Sequence, residues 1–65
     1  MNIIVNGETK ETRAENIQDL LVELAIQDKV MAAAINMEIV KKENWATTHF
    51  CENDRIEFLQ FVGGG

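Results

Sequence analysis

The apolar positions of this chain fall into short blocks with different periods. Ile3-Ile4-Val5 is a brief apolar run that ends at Asn6-Gly7, a strong two-residue hairpin signal. Thr9 to Arg13 is expected to return as the second strand. The polar run from Glu8 to Arg13 suits a sheet edge, where charges discourage further pairing. The period then changes. Ile17, Leu20, Leu21, Leu24 and Ala25 recur at i, i+3, i+4, i+7 and i+8, one apolar stripe on a helix. Asn16 is the expected N-cap, with Asp19 three residues on in an acidic variant of the capping box. The helix is expected to fade near Gln27-Asp28-Lys29.

Val30 to Ile35 is an apolar run that predicts a central strand buried on both faces. Asn36-Met37-Glu38 is a turn candidate, since Asn tolerates the left-handed region, and Ile39-Val40 opens a short fourth strand. Lys42 to Thr48, which carries Trp45, predicts a helical turn. Asn53-Asp54 signals another turn, and Arg55 to Val62 forms the last strand. The order is two strands, a helix, two strands and a final strand. It describes an α+β, ubiquitin-like β-grasp fold: one mixed sheet packed on one main helix.

Alternation along the last strand assigns its faces. Ile56 and Phe58 share one side, while Glu57, Leu59 and Phe61 share the other. Glu57 marks the second side as solvated, so Ile56 and Phe58 meet the helix. By the same count Ile3 and Val5 face the helix and Ile4 faces outward. Leu59, Phe61 and Ile4 are therefore candidates for partner docking, as apolar groups on the open face.

Sixty-five residues accommodate one domain, 1–65, with a tail over 62–65. A chain this short hides only about 60% of its unfolded surface, so the 46% apolar fraction has to build the core without staples. One cysteine cannot form an internal disulfide, and His49 plus Cys51 make no structural zinc set. The lone thiol fits a reducing cytoplasm. Eleven acidic residues against six basic ones give a net charge of −5, which disfavours nucleic acid and favours solubility or a basic partner. The opening residues do not read as a signal peptide, and no apolar run approaches membrane-spanning length.

The densest chemical information is the end of the sequence, Gly63-Gly64-Gly65. These residues offer no side chain for chemistry, only a thin backbone and an α-carboxylate. Three extended residues reach roughly 10 Å, enough to thread a carboxylate into a narrow site on another protein. Gly65 is accordingly the candidate site of modification, with Gly63 and Gly64 as the tail that lets it enter. No catalytic or metal-binding set is expected within the chain. Cys51 is expected to pack as a small apolar residue near the last strand, and His49 to lie at the surface or half-buried. Trp45 is expected in the core or as a lid over the sheet, Met31 and Met37 as packing residues, and Lys41-Lys42 as solvated.

These residues together carry a resemblance. The opening strand with Asn6-Gly7, the helix Ile17-Gln18-Asp19-Leu20-Leu21 and Ala33-Ala34-Ile35-Asn36 followed by Ile39-Val40 form its first part. Trp45, Asp54-Arg55-Ile56 and Gln60-Phe61-Val62-Gly63-Gly64-Gly65 complete it. The chain resembles the ThiS family, the sulfur carrier proteins of thiamine biosynthesis, over essentially its whole length. The resemblance implies a protein cosubstrate rather than an enzyme. An adenylyltransferase resembling ubiquitin-activating enzymes would use ATP and magnesium to adenylate the Gly65 carboxylate. A persulfide, derived from cysteine through a cysteine desulfurase, would then displace AMP and leave a thiocarboxylate. Thiazole synthase would take up that sulfur. The chain itself would bind no cofactor and would be a monomer when alone.

Three other readings share some of these features. The small subunit of molybdopterin synthase has the same fold and tail chemistry but is usually longer and lacks the Asn36 to Trp45 pattern. A protein modifier would join Gly65 to lysines of other proteins. A simple interaction domain would carry the glycines passively, and deleting Gly64-Gly65 would leave its function intact.

Overall fold

In the computed structural model, which describes residues 1–60, strand β1 spans Asn2–Val5 and β2 spans Glu8–Glu11. Asn6 (φ 49°) and Gly7 (φ 86°) turn between them in the left-handed region, as a two-residue hairpin loop requires. The hairpin pairs Val5 with Glu8 and Asn2 with Glu11. The second strand stops short of the expected Arg13. Thr12 still exchanges backbone hydrogen bonds with Met1, its N–H donating to Met1 O at 2.9 Å and its carbonyl accepting from the N-terminal ammonium at 3.0 Å. The chain turns away after it, where its buried hydroxyl donates to Glu23 Oε2 and accepts from the Ala14 N–H at 3.0 Å. Glu23 Oε1 also accepts from the Arg13 N–H, so this one carboxylate pins the strand-to-helix connection to the end of the helix.

Helix α1 spans Ile17–Glu23. Asn16 caps it as expected: its Oδ1 accepts from the Asp19 N–H at 2.8 Å, and its Nδ2 donates to Asp19 Oδ2. Such a cap contributes about 1 kcal/mol. Ile17, Leu20 and Leu21 are fully buried and form the stripe that meets the sheet. The far end departs from expectation. Ala25 turns left-handed (φ 58°), its N–H reaches Val22 O, and the Ile26 N–H reaches back to Leu21 O at 3.0 Å. That is a Schellman ending, and it stops the helix several residues before Gln27. Ala25 is exposed, outside the stripe it was expected to extend.

The ending usually takes glycine, because a Cβ in this conformation costs roughly 1–2 kcal/mol. Ala25→Gly is therefore expected to raise stability by about 0.5–1 kcal/mol, after the greater entropy of glycine in the unfolded chain is deducted. Urea titration with an unchanged slope checks this. A loss of stability would show that the left-handed turn at Ala25 is not the stopping device.

Strand β3 (Val30–Ile35) and β4 (Glu38–Val40) pair antiparallel around a two-residue turn, and β5 (Arg55–Gln60) lies between β1 and β3. The sheet order is β2-β1-β5-β3-β4, with β1 and β5 parallel and the other neighbours antiparallel. The polar strand β2 is an edge, as its charges imply. β3 is internal to the sheet but not buried on both faces. The register slips between Val30, opposite Gln60, and Ala32, opposite Leu59, which leaves Met31 as an extra residue. Met31 is accordingly exposed, contrary to its expected packing role.

The core lies between α1 and one face of the sheet. Ile3, Val5, Ala33, Ile56 and Phe58 supply the sheet side, and Phe50 and Trp45 close it. Trp45 follows a 3₁₀ turn over Lys42–Asn44, within the stretch expected to be helical. It is 2% exposed, and its indole N–H donates to Val40 O at 2.9 Å. The ammonium of Lys42 lies 5.9 Å from its ring centroid. The alternation assigned to β1 and β5 holds: Ile3, Val5, Ile56 and Phe58 are buried, Leu59 is exposed and Ile4 is half-buried.

Candidate functional site

The opposite face of the sheet, away from α1, is built from small residues flanked by large ones. Ala34 pairs with Ile39 on one side and Glu57 on the other, and Ala32 pairs with Leu59. Since Ala33 and Phe58 point into the core, their neighbours in these strands point outward. The two alanines leave a shallow groove of about 400 Å³ between Leu59, Ile39 and Met37, with Glu57 as the charged residue on its lining. Leu59 is 62% exposed, Ile39 74% and Met37 87%.

Met37 occupies an unusual position. It shares the β3–β4 turn with Asn36, and both take positive φ, 50° at Asn36 and 73° at Met37. The expectation that Met37 packs inside is overturned, because this turn carries its side chain away from the body. Asn36 is held there by its side chain: Nδ2 donates to Asp54 Oδ1 at 3.2 Å, and Oδ1 accepts from the Arg55 N–H at 3.0 Å. The turn at the groove's end is thus tied to the start of β5.

Among the expected docking residues, Leu59 lies in this groove. Ile4 does not. It lines a smaller depression with Gly7, Arg55 and Glu57, because β1 flanks β5 on the side away from β3. Phe61 and the tail glycines Gly63, Gly64 and Gly65 lie outside the described residues. Ile39 and Met37 were missing from the expected docking set. Alternation along β4 could have placed Ile39, because Val40 turns toward the core and so Ile39 turns away. The turn signal of Asn36-Met37-Glu38 was the local pattern that could have set Met37 apart from a core methionine.

The remaining chemistry-bearing side chains do not converge. Cys51 is exposed rather than packed, since it belongs to the turn before β5. Its N–H donates to Asp54 Oδ2 at 2.8 Å, and its carbonyl accepts from the Asp54 N–H. His49 is exposed and makes an isolated bridge to Asn16. Among the described residues, no group of three or more His, Cys, Asp or Glu side chains is placed to hold a metal ion. No helix among them is long and apolar enough to cross a membrane.

A five-stranded mixed sheet of this order, with one helix across it and a central last strand, defines a ubiquitin-like β-grasp protein. The ThiS family model matches residues 3–65, and the chain belongs to the ThiS family. The sulfur carrier protein ThiS of Bacillus subtilis is 41% identical over 49 residues, covering 75% of this chain and 74% of its own. The crystal structure of the thiamine biosynthesis protein ThiS from Geobacter metallireducens superposes with a TM-score of 0.80 at 34% identity, each chain covered in full. A thiazole synthase of Paramagnetospirillum magneticum is 33% identical over 66 residues. This chain is matched in full there but spans only 20% of that longer protein.

Proposed function

We propose that this ThiS-family chain carries sulfur for thiazole formation in thiamine biosynthesis as a thiocarboxylate on Gly65. The observation that supports this most is the combination of the family with the Gly63-Gly64-Gly65 sequence, carried directly beyond the central strand β5. An α-carboxyl group has a pKa of about 3.3–3.7, so it is an anionic nucleophile at neutral pH. It is a poor acylating agent until its oxygen carries a leaving group. An adenylyltransferase resembling ubiquitin-activating enzymes lets the carboxylate oxygen attack the α-phosphate of ATP, with magnesium, and pyrophosphate departs. The terminal sulfur of a persulfide formed by a cysteine desulfurase then displaces AMP. A second thiol takes the other persulfide sulfur as a disulfide and frees the thiocarboxylate.

The chain acts in the cytoplasm as a cosubstrate that is spent and recharged, and thiazole synthase is the acceptor enzyme. It supplies no catalytic group: positioning and charge stabilisation come from the partners. Gly63 and Gly64 keep the approach free of Cβ atoms. The outer face docks, with Leu59 joined by Ile39 and Met37 in the groove and by Phe61 further along the chain, and with Ile4 on the β1 side. The exposure of Leu59, Ile39 and Met37 on a small acidic domain supports that role.

The test is the intact mass of the protein after incubation with its host's lysate, ATP and cysteine, beside a variant lacking Gly65. A gain equal to sulfur minus oxygen, located in the C-terminal fragment and absent from the variant, is expected. Localisation matters because oxidation of methionine or Cys51 adds nearly the same mass. An unmodified C-terminal fragment in a lysate with a demonstrably active sulfur pathway would overturn the proposal. Higher-mass conjugates would instead favour a protein modifier.

A further inference from the structure

β5 is held unequally by its two neighbours. On the β3 side it is paired along its length, from Ile56 opposite Ile35 to Gln60 opposite Val30. On the β1 side the ladder ends at Val5 opposite Ile56, and the last backbone rung is the Asn6 N–H to Ile56 O at 3.0 Å. There the chain of β1 turns away into the hairpin. One further tie exists among the described residues: the Phe58 N–H donates to Asn6 Oδ1 at 2.8 Å, in a partly buried position across 52 residues of sequence. The side chain of Asn6 thus stands in for the strand that β1 no longer provides.

The same residue does two jobs that few side chains combine. Its backbone takes the positive φ of the hairpin turn, which Asn tolerates. Its amide oxygen, meanwhile, satisfies a backbone donor on the central strand. Glycine would serve the turn at least as well but would leave the Phe58 N–H without this partner. A partly buried donor left unpaired favours local opening of the strand that bears it. That strand is the last described element before Phe61 and the tail.

We infer that Asn6 is a positioning residue for the carrier reaction, fixing through Phe58 the direction in which the chain leaves the sheet toward Gly65. The inference rests on the proposed activation of Gly65. Asn6 touches none of the reacting atoms. It narrows the directions from which the tail sets out once the outer face has docked, so its effect falls on turnover rather than on docking affinity.

The experiment compares wild type, Asn6→Gly and Asn6→Asp as substrates of an adenylyltransferase that activates a ThiS protein. Pyrophosphate release is followed against carrier concentration, and amide exchange at Phe58 is measured on each free protein. Asn6→Gly keeps the turn and loses the acceptor. It is expected to exchange faster at Phe58 and to lower kcat by about tenfold, with KM within about twofold of wild type. Asn6→Asp keeps both an acceptor oxygen and tolerance of positive φ, and is expected to restore both readouts.

All assays are run well below the melting temperature of each variant. Wild-type kcat in Asn6→Gly would overturn the inference, as would an equal loss in Asn6→Asp with the Phe58 amide still protected. Wild-type protein that is never activated, while the enzyme's own carrier is, would instead strike the proposed function, and the inference with it.

Discussion

Replacing both Leu59 and Ile39 by lysine is expected to reduce sulfur loading about 100-fold or more while leaving the protein folded. The two side chains stand on opposite walls of the outer groove, separated by the alanine floor of β3. Both are mostly exposed in the free protein, so replacing them removes little from the core. In a complex they would be the apolar anchors. A buried apolar anchor contributes about 2 kcal/mol or more when it is a hot spot, and two such losses exceed a hundredfold in affinity even with imperfect additivity. Lysine adds the cost of desolvating an ammonium group.

The variant's net charge is −5 + 2 = −3, still acidic. The measurements are the initial rate of thiocarboxylate formation at limiting carrier and a thermal melt of each protein. A normal loading rate with an unchanged melt would remove the groove from the docking surface. It would return attention to Ile4 and Phe61.

The largest stability effect is expected at Trp45. Trp45→Ala should cost about 3–5 kcal/mol, since it opens a cavity the size of an indole in a small core. A domain of this length has only about 3–10 kcal/mol in all, from roughly 0.05–0.15 kcal/mol per residue. The melting temperature is expected to fall by about 15 °C or more. Trp45→Phe separates two parts of the loss. It keeps much of the volume but leaves Val40 O without the indole N–H, an added cost of about 1–3 kcal/mol. Thermal and urea unfolding of the three proteins checks the order wild type, Phe, Ala. A melt for Trp45→Ala within a few degrees of wild type would mean that the indole caps the sheet without supporting it.

The helix shows how far local signals reach. Its start was legible because Asn16 accepts from the Asp19 N–H of the first turn, while the Asp19 carboxylate holds the Asn16 side chain rather than a backbone amide. Its buried face was legible because Ile17, Leu20 and Leu21 repeat at the helical period. Its end was not, since Ala25 lacks the glycine that usually announces a left-handed stop. The bulge at Met31 escaped for a similar reason. A pairing slip belongs to two strands at once, and β5 lies more than twenty residues downstream. Cys51 was expected to pack because cysteine is commonly buried, yet the hydrogen bonds of Asp54 fold its segment into an exposed turn.

What the sequence alone determined is what depends on neighbours a few residues apart: the two strands of the first hairpin, the apolar stripe of α1, the alternation of β5 and the glycine tail. From these, the β-grasp class and the resemblance to ThiS were already readable. Tertiary structure alone decided which apolar residues share a surface. Ile39 and Met37 join Leu59, while Ile4 falls on the other flank of β5, because strand order brings distant segments side by side. It also decided that Asn6 reaches Phe58, a contact across 52 residues that no local period encodes. Local preferences are set by backbone sterics and short-range hydrogen bonds, whereas the assembled face depends on burying one side of every element against the same core.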